Sequence, residues 1–281
     1  MIIAKLMGGL GNQMFQYAFA RNLSLKYNKP LKIDLSFLKN KNQGPNFTYR
    51  DYNLNIFDID VDFEIPKNEV GYLLKENALQ TATTNINYVN TFIQKNINHN
   101  FVLSGYWQSQ NCFIDIKDQI KQDFTFKNSV TKSKEYIQKM YNDIISCNSV
   151  MIHVRRTDYL KHPDYYYVVD NDYIQNSTNI INTKINSPHF FVFSDDIEWC
   201  KDNIKYKNTT FVDNTYTDHT SNYHVQLMCS CKHFIISNST FSWWSAWLGK
   251  STDSLIIAPK KWYKTSSVNA DEIVPSDWLR V

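Results

Sequence analysis

The sequence is short of the residues that break regular structure: glycine and proline occur seven times each in 281 residues. Long apolar runs are also missing. No stretch approaches the roughly 18 apolar residues that a membrane-crossing helix needs, so no transmembrane segment is expected. The opening MIIAKLMGGLGNQMF has no signal-peptide order, because its short apolar stretch runs straight into a glycine turn. A cytoplasmic location is therefore the expectation, with peripheral contact at the inner face of the membrane left open. The net charge of +3 is too mild for a nucleic-acid partner. The five cysteines, Cys112, Cys147, Cys200, Cys229 and Cys231, form an odd set. Cys229-Ser230-Cys231 is too tight for a zinc pair and no second pair follows, so the thiols read as reduced and buried. In a reducing compartment the sequons at Asn46 and Asn238 carry no glycan. Gly-x-Ser-x-Gly, His-Glu-x-x-His and Cys-x-x-Cys are absent, which weighs against hydrolase and zinc readings. A phosphate-binding P-loop is excluded for want of Gly-Lys-Ser/Thr.

Three of the seven glycines sit together at Gly8, Gly9 and Gly11. Such clustering points to positive φ or to a close approach to the main chain. Ile2 to Met7 reads as a strand, Asn12 as a helix cap, and Phe15, Phe19 and Leu23 as one helix face. Pro30 ends that helix and Leu31 to Leu35 is a second strand. Residues 40–100 are polar and weakly periodic. Beyond them Phe101 to Leu103 reads as a strand and 131–145 as a helix. The second half alternates strands (149–154, 189–193, 209–212, 233–237, 254–258) with helices (171–185, 195–204, 219–231, 239–248), the rhythm of a parallel sheet covered on both faces. The fold class is α/β. The expected domains are 1–147 and 148–261, with 262–281 a candidate to pack back on the first.

Four stretches carry chemistry. His153-Val154-Arg155-Arg156-Thr157-Asp158-Tyr159 places two permanent cations at a strand end, where open α/β sheets bind ligands. A guanidinium suits phosphate, since its planar fork makes two parallel charge-assisted hydrogen bonds. Neighbouring strand residues point to opposite sides, so one arginine is expected to face the ligand and the other to pair internally, with Asp158 a candidate partner. Ile236-Ser237-Asn238-Ser239-Thr240-Phe241-Ser242-Trp243-Trp244 runs from a strand into a helix, and hydroxyls with unpaired N–H groups at a helix start favour an anion. The tryptophans there read as core. Asp195 and Asp196 follow a third strand and suit either a ligand or helix capping. The glycine turn before Asn12-Gln13 is not the dinucleotide fingerprint, yet a strand-to-helix turn at the ligand edge of its sheet is a candidate to face a cleft. Asp58-Ile59-Asp60-Val61-Asp62 reads as an acidic loop rather than a metal-diphosphate site.

Taken in order, GGLGNQMFQYA, HVRRTDY, FSDDIEW and ISNSTFSWWSAWL resemble glycosyltransferase family 11, in particular its bacterial galactoside α-1,2-fucosyltransferases. The resemblance implies a GT-B architecture of two Rossmann-like domains facing each other across a cleft. It implies GDP-β-L-fucose as donor, held by the C-terminal domain, and a galactoside acceptor glycan approached from the N-terminal side. It implies inversion without an essential metal, so no cofactor. Carried onto this sequence, Arg155 binds the β-phosphate, His153 lines the donor pocket and Asp158 orients the arginines. Arg156, Asp195 and Asp196 lie near the nucleotide, and Ser239, Thr240 and Ser242 surround the diphosphate. Asn12, with Gly9 and Gly11, lies near the reacting centre. One departure concerns guanine recognition: where the family pattern has an acidic residue, this chain has His224, and Asp218 is six residues away. Two other classes remain open, a carbohydrate- or nucleotide-sugar-binding module without turnover and a metal-dependent transferase using Asp58 and Asp60.

Overall fold

The computed structural model describes residues 1–42, 44, 48–62, 71–217 and 221–281. Asn46 and Asp218, both singled out from the sequence, lie outside them, as does the start of the helix expected from 219. The chain divides into two compact units, one of Met1–Thr125 with Ser266–Pro275 and one of Phe126–Thr265 with Ser276–Val281.

The first unit holds a four-stranded parallel sheet. Strand β1 (Ile2–Lys5) leads into helix α1 (Leu10–Lys26), and β2 (Leu31–Asp34) pairs beside β1. A single turn, α2 (Ser36–Lys39), follows. Then come β3 (Tyr72–Lys75), α3 (Ala82–Lys95) and β4 (Phe101–Ser104), giving the order β2-β1-β4-β3. Helix α1 is buried on nearly every side, with Phe15, Phe19 and Leu23 all in the core. Its cap is Gly9, not Asn12, which lies within the first turn. Gly8 makes this start possible: its φ of +73° is left-handed, and a Cβ there would stand 2.5 Å from Asn12 Nδ2. A short helix, α4 (Lys117–Asp123), closes this part of the chain, its Asp123 carboxylate accepting from Tyr17 and Arg21 of α1.

The second unit is built on a six-stranded parallel sheet. Helix α5 (Glu135–Ile145) precedes β5 (Asn148–Val154). The alternation continues through α6 (Asn171–Lys184), β6 (Pro188–Ser194), α7 (Ile197–Asn203), β7 (Thr209–Val212) and α8 (Asn222–Cys229). It ends with β8 (His233–Ile235), α9 (Thr240–Gly249), β9 (Ile256–Ala258) and the two-residue β10 (Leu279–Arg280). Six of the seven residues of β5 are buried, as befits a central strand with both faces covered. The order β10-β9-β8-β5-β6-β7, numbered from β5 and read from β7, is 3-2-1-4-5-6, that of Rossmann sheets. The strand order reverses between β5 and β8, so the crevice beyond their carboxyl ends is where a ligand is expected.

Two domain expectations are corrected. The boundary falls at Thr125/Phe126 rather than 147/148, because α5 and the segment before it belong to the second unit. Gln226 of α8 accepts from Val130 N (2.8 Å) and donates to the Asn128 carbonyl (2.7 Å), and Ile137, Met140 and Ile144 of α5 are buried. The tail is divided. Residues 266–275 group with the first unit, where Glu272 accepts from Thr83, while β10 extends the second sheet and Trp278 packs 5.3 Å from Trp243. Trp243, Trp244 and Trp247 are core residues, as expected. All five cysteines are unpaired thiols. Among the described residues no helix is long and apolar enough to cross a membrane.

Candidate active site

The carboxyl ends of β5 and β8 bring together the residues singled out from two separate stretches. His153 is the second-last residue of β5, and its Nδ1 lies 2.8 Å from Ser237 Oγ, just past β8. This hydrogen bond spans the point where the strand order reverses. The ring is 7% exposed, and burial holds it neutral, well below its ordinary range. Asp195 opposes that shift, while Arg155 and His224 reinforce it. A ring held neutral so firmly is a poor proton acceptor.

Arg155 follows immediately after β5. Its Nη2 donates to Asp158 Oδ2 at 2.6 Å and its Nη1 lies 3.2 Å from Asp195 Oδ2. Burial works against the cation, but Asp195 and Asp158 together hold it above even its ordinary range. Asp195, at the carboxyl end of β6, is a clamp on the β5 loop: it accepts from Arg156 N (2.9 Å), Thr157 N (3.2 Å) and Thr157 Oγ1 (2.5 Å). Burial raises its pKa, yet Arg155 and these hydrogen bonds outweigh that and lower it overall. Two contacts do not exhaust a guanidinium, which carries five N–H donors in one plane.

Both arginines are internally paired, which revises the expectation that only one would be. The strand ends at Val154, so the alternation argument stops before Arg155. Arg156 turns to α7, with Nε 3.3 Å from Asp196 Oδ2 and its guanidinium 3.9 Å from the Trp199 ring centroid. Asp196 also caps α7 by accepting from Trp199 N. Arg156 and Asp196 thus brace α7 beneath the loop.

At α9, Ser239 is the cap and accepts from Phe241 N at 3.3 Å. Thr240 is the first helical residue and is half-buried. Ser242 is fully buried and donates to the Ser239 carbonyl at 3.1 Å, so its hydroxyl faces its own backbone. Two residues of the stretch were missed. Ser237 holds His153, and Asn238 donates to the Trp262 carbonyl at 2.7 Å while its backbone carbonyl accepts from Tyr159 OH at 2.9 Å. Their signal was visible, since both sit between the strand and the cap. His224 belongs to α8. Its Nε2 donates to the Asp213 carbonyl at 2.9 Å, and its ring stands edge-on to Phe193 at 5.8 Å.

In the first unit, Asn12 Oδ1 accepts from Gln108 Nε2 at 2.9 Å, joining the turns that follow β1 and β4. Gly9 has a φ of −79°, and a Cβ there would meet only Arg50 Nε at 3.9 Å, so glycine is required at Gly8 instead. Gly11 is buried within α1. Asp58 N donates to the Thr125 carbonyl and the Asp62 carbonyl accepts from Ile33 N, tying the acidic loop to the sheet edge. Among the described residues no three His, Cys, Asp or Glu side chains form a metal-holding group.

The model of glycosyl transferase family 11 matches residues 1–281. The chain belongs to that family. An alpha-1,2-colitosyltransferase of Escherichia coli is 33% identical over 100% of this chain and 98% of the relative. The O-antigen biosynthesis glycosyltransferase WbnK of Escherichia coli is 28% identical over 98% and 99%. Human galactoside alpha-(1,2)-fucosyltransferase 1 is 28% identical over 52% of this chain and 42% of its own. Among solved structures, the fucosyltransferase NodZ from Bradyrhizobium superposes with a TM-score of 0.52 at 13% identity, covering 87% of this chain and 90% of that one. That likeness and the two parallel sheets give the family 11 chain a GT-B type of α/β fold, and it is a glycosyltransferase.

Proposed function

We propose that this glycosyltransferase moves L-fucose from GDP-β-L-fucose to the 2-hydroxyl of a terminal galactoside in a glycan, with inversion and without an essential metal. The observation that carries the reading is Arg155, held by Asp158 and Asp195 at the point where strand order reverses in a Rossmann-order sheet. In a single in-line displacement the acceptor oxygen bonds to the anomeric carbon as its bond to the diphosphate breaks. The electron pair leaves with GDP, so negative charge grows on the β-phosphate. A cation fixed in advance where that charge develops lowers the barrier without reorganising. The N-terminus of α9 adds positive potential at the neighbouring strand end. His153 keeps Ser237 and the α9 turn in register with the Arg155 loop and takes no proton. A nucleotide-sugar donor fits a cytoplasmic placement.

One observation favours a second donor. The 33% identical relative is named a colitosyltransferase of the same α-1,2 type. Colitose is fucose without its 3-hydroxyl, so one site geometry serves both sugars. The test is turnover of GDP-fucose and of GDP-colitose, separately, with lactose in a chelator, the product weighed by mass spectrometry and its linkage assigned by NMR. A fucosylated galactose 2-hydroxyl in chelator is the expected product. Colitosyl product alone would replace the donor, and activity only after a divalent ion is restored would overturn metal independence. Donor binding with no transfer to any galactoside would leave a binding module.

A further inference from the structure

The first unit contains a half-buried carboxylate that the proposed chemistry does not use. Glu76 follows β3, at the same sheet edge as the turns after β1 and β4. Its Oε2 accepts from Tyr106 N at 2.6 Å, and both oxygens lie 3.1 Å from Trp107 N. Burial nonetheless wins over these two amides and raises its pKa, and no cation acts on it among the described residues. A half-buried carboxylate held by two amides and no counter-charge keeps room on its oxygens for further donors. Such groups cluster where a ligand is handled.

The surroundings suit a sugar. The turn that Glu76 grips is built for display. Trp107 is in the left-handed region at φ +53°, and a Cβ on Gly105 would collide with Glu76, so the glycine lets the carboxylate reach the turn. From that turn Gln108 reaches Asn12, while Gln16 accepts from Met7 N and donates to the Gly105 carbonyl, locking the ends of β1 and β4 together. Tyr106 is 42% exposed beside the carboxylate. A carboxylate and two carboxamides with an open aromatic ring are the groups that bind vicinal hydroxyls and cover the apolar face of a pyranose.

We propose that the carboxyl ends of β1, β3 and β4 form the acceptor-sugar subsite, in which Glu76 accepts hydrogen bonds from a hydroxyl pair of the galactoside. Asn12 and Gln108 hold a further hydroxyl and Tyr106 covers the ring. This rests on the glycosyl-transfer reading above.

The test compares the full-length wild type with Glu76→Gln and Tyr106→Ala by two readouts. One is lactose binding to the GDP complex by saturation-transfer NMR, which needs no turnover. The other is the steady-state KM for lactose and for the donor. Loss of a hydrogen bond to a charged group predicts an acceptor KM raised about tenfold or more in Glu76→Gln, with donor KM and GDP affinity unchanged. Tyr106→Ala, at an exposed side chain that is safe for folding, raises the same KM and weakens the lactose signal. Unchanged lactose binding and KM in both variants would overturn the subsite while leaving fucosyl transfer standing. Loss of lactose binding in both variants of a protein that transfers some other sugar would overturn the donor reading and leave the subsite standing.

Discussion

At the residue scale, the site is an arrangement of groups whose protonation is fixed by their neighbours. Arg155 stays charged because two carboxylates face it, and Asp195 stays ionised because Arg155 and three donors hold it. His153 stays neutral because it is buried. A histidine with a depressed folded pKa makes stability depend on pH in a definite direction. Below its unfolded value of about 6.5 the unfolded chain takes up a proton that the folded chain refuses, so stability falls as the solution is acidified. This contribution is whole above about pH 6.5 and is lost progressively below it. Asp195, whose folded value is also depressed, adds a second loss of the same sign, in a window below about pH 3.9. His153→Asn, which can still meet Ser237, should flatten urea-unfolding stability between roughly pH 7 and pH 5. An unaltered slope in that variant would mean that His153 is not the group responsible.

At the element scale, the two sheets explain what could be read from sequence and what could not. Strands β5 to β9 were legible because parallel strands covered on both faces are short apolar runs, and Phe190 to Phe193 is such a run. Strand β3 and helix α3 were not read. Leu74 is the only buried residue of β3, and α3 buries only Asn85, Val89 and Ile93, so neither has a full apolar signature. The motifs named most of the site, but partner choice came from strand order. Asp195 grips the Arg155 loop because β6 lies beside β5, and Ser237 meets His153 because β8 lies on the other side. The same limit hid Gly8. Composition flagged a glycine cluster, whereas the positive φ singles out one member. Gly8→Ala should therefore cost about 1–2 kcal/mol from backbone strain, and its Cβ would displace Asn12. Gly9→Ala, at the helix cap with an ordinary φ, should cost less, about 0.5–1 kcal/mol. Equal losses for the two, measured by urea unfolding, would contradict this assignment.

At the scale of the whole molecule, the chain leaves the first unit, builds the second, returns as 266–275 and ends in the second as 276–281. The final six residues look too short to matter, yet they supply β10 and the buried Trp278. Trp278→Ala should cost about 3–5 kcal/mol, as for other buried aromatic truncations, and lower the melting temperature of the second unit. Loss of less than about 1 kcal/mol would show that the tail merely rests on a unit complete without it. The domain boundary misplaced from sequence has the same origin. Helix α5 is amphipathic and would suit either sheet, and it is Gln226 and Asn222, far along the chain, that tie its leading segment to α8.

The central claim is that Arg155 meets the charge that develops on a departing diphosphate. The most direct measurement is turnover of GDP-fucose by Arg155→Ala and Arg155→Lys, beside the affinity of each variant for GDP. The account predicts a fall in turnover on the order of 10²–10³ for alanine. It predicts a large loss for lysine too, since a point charge cannot replace the fork, with GDP affinity falling much less than turnover in both. Near-wild-type turnover in Arg155→Lys, or equal losses in GDP affinity and turnover, would contradict it.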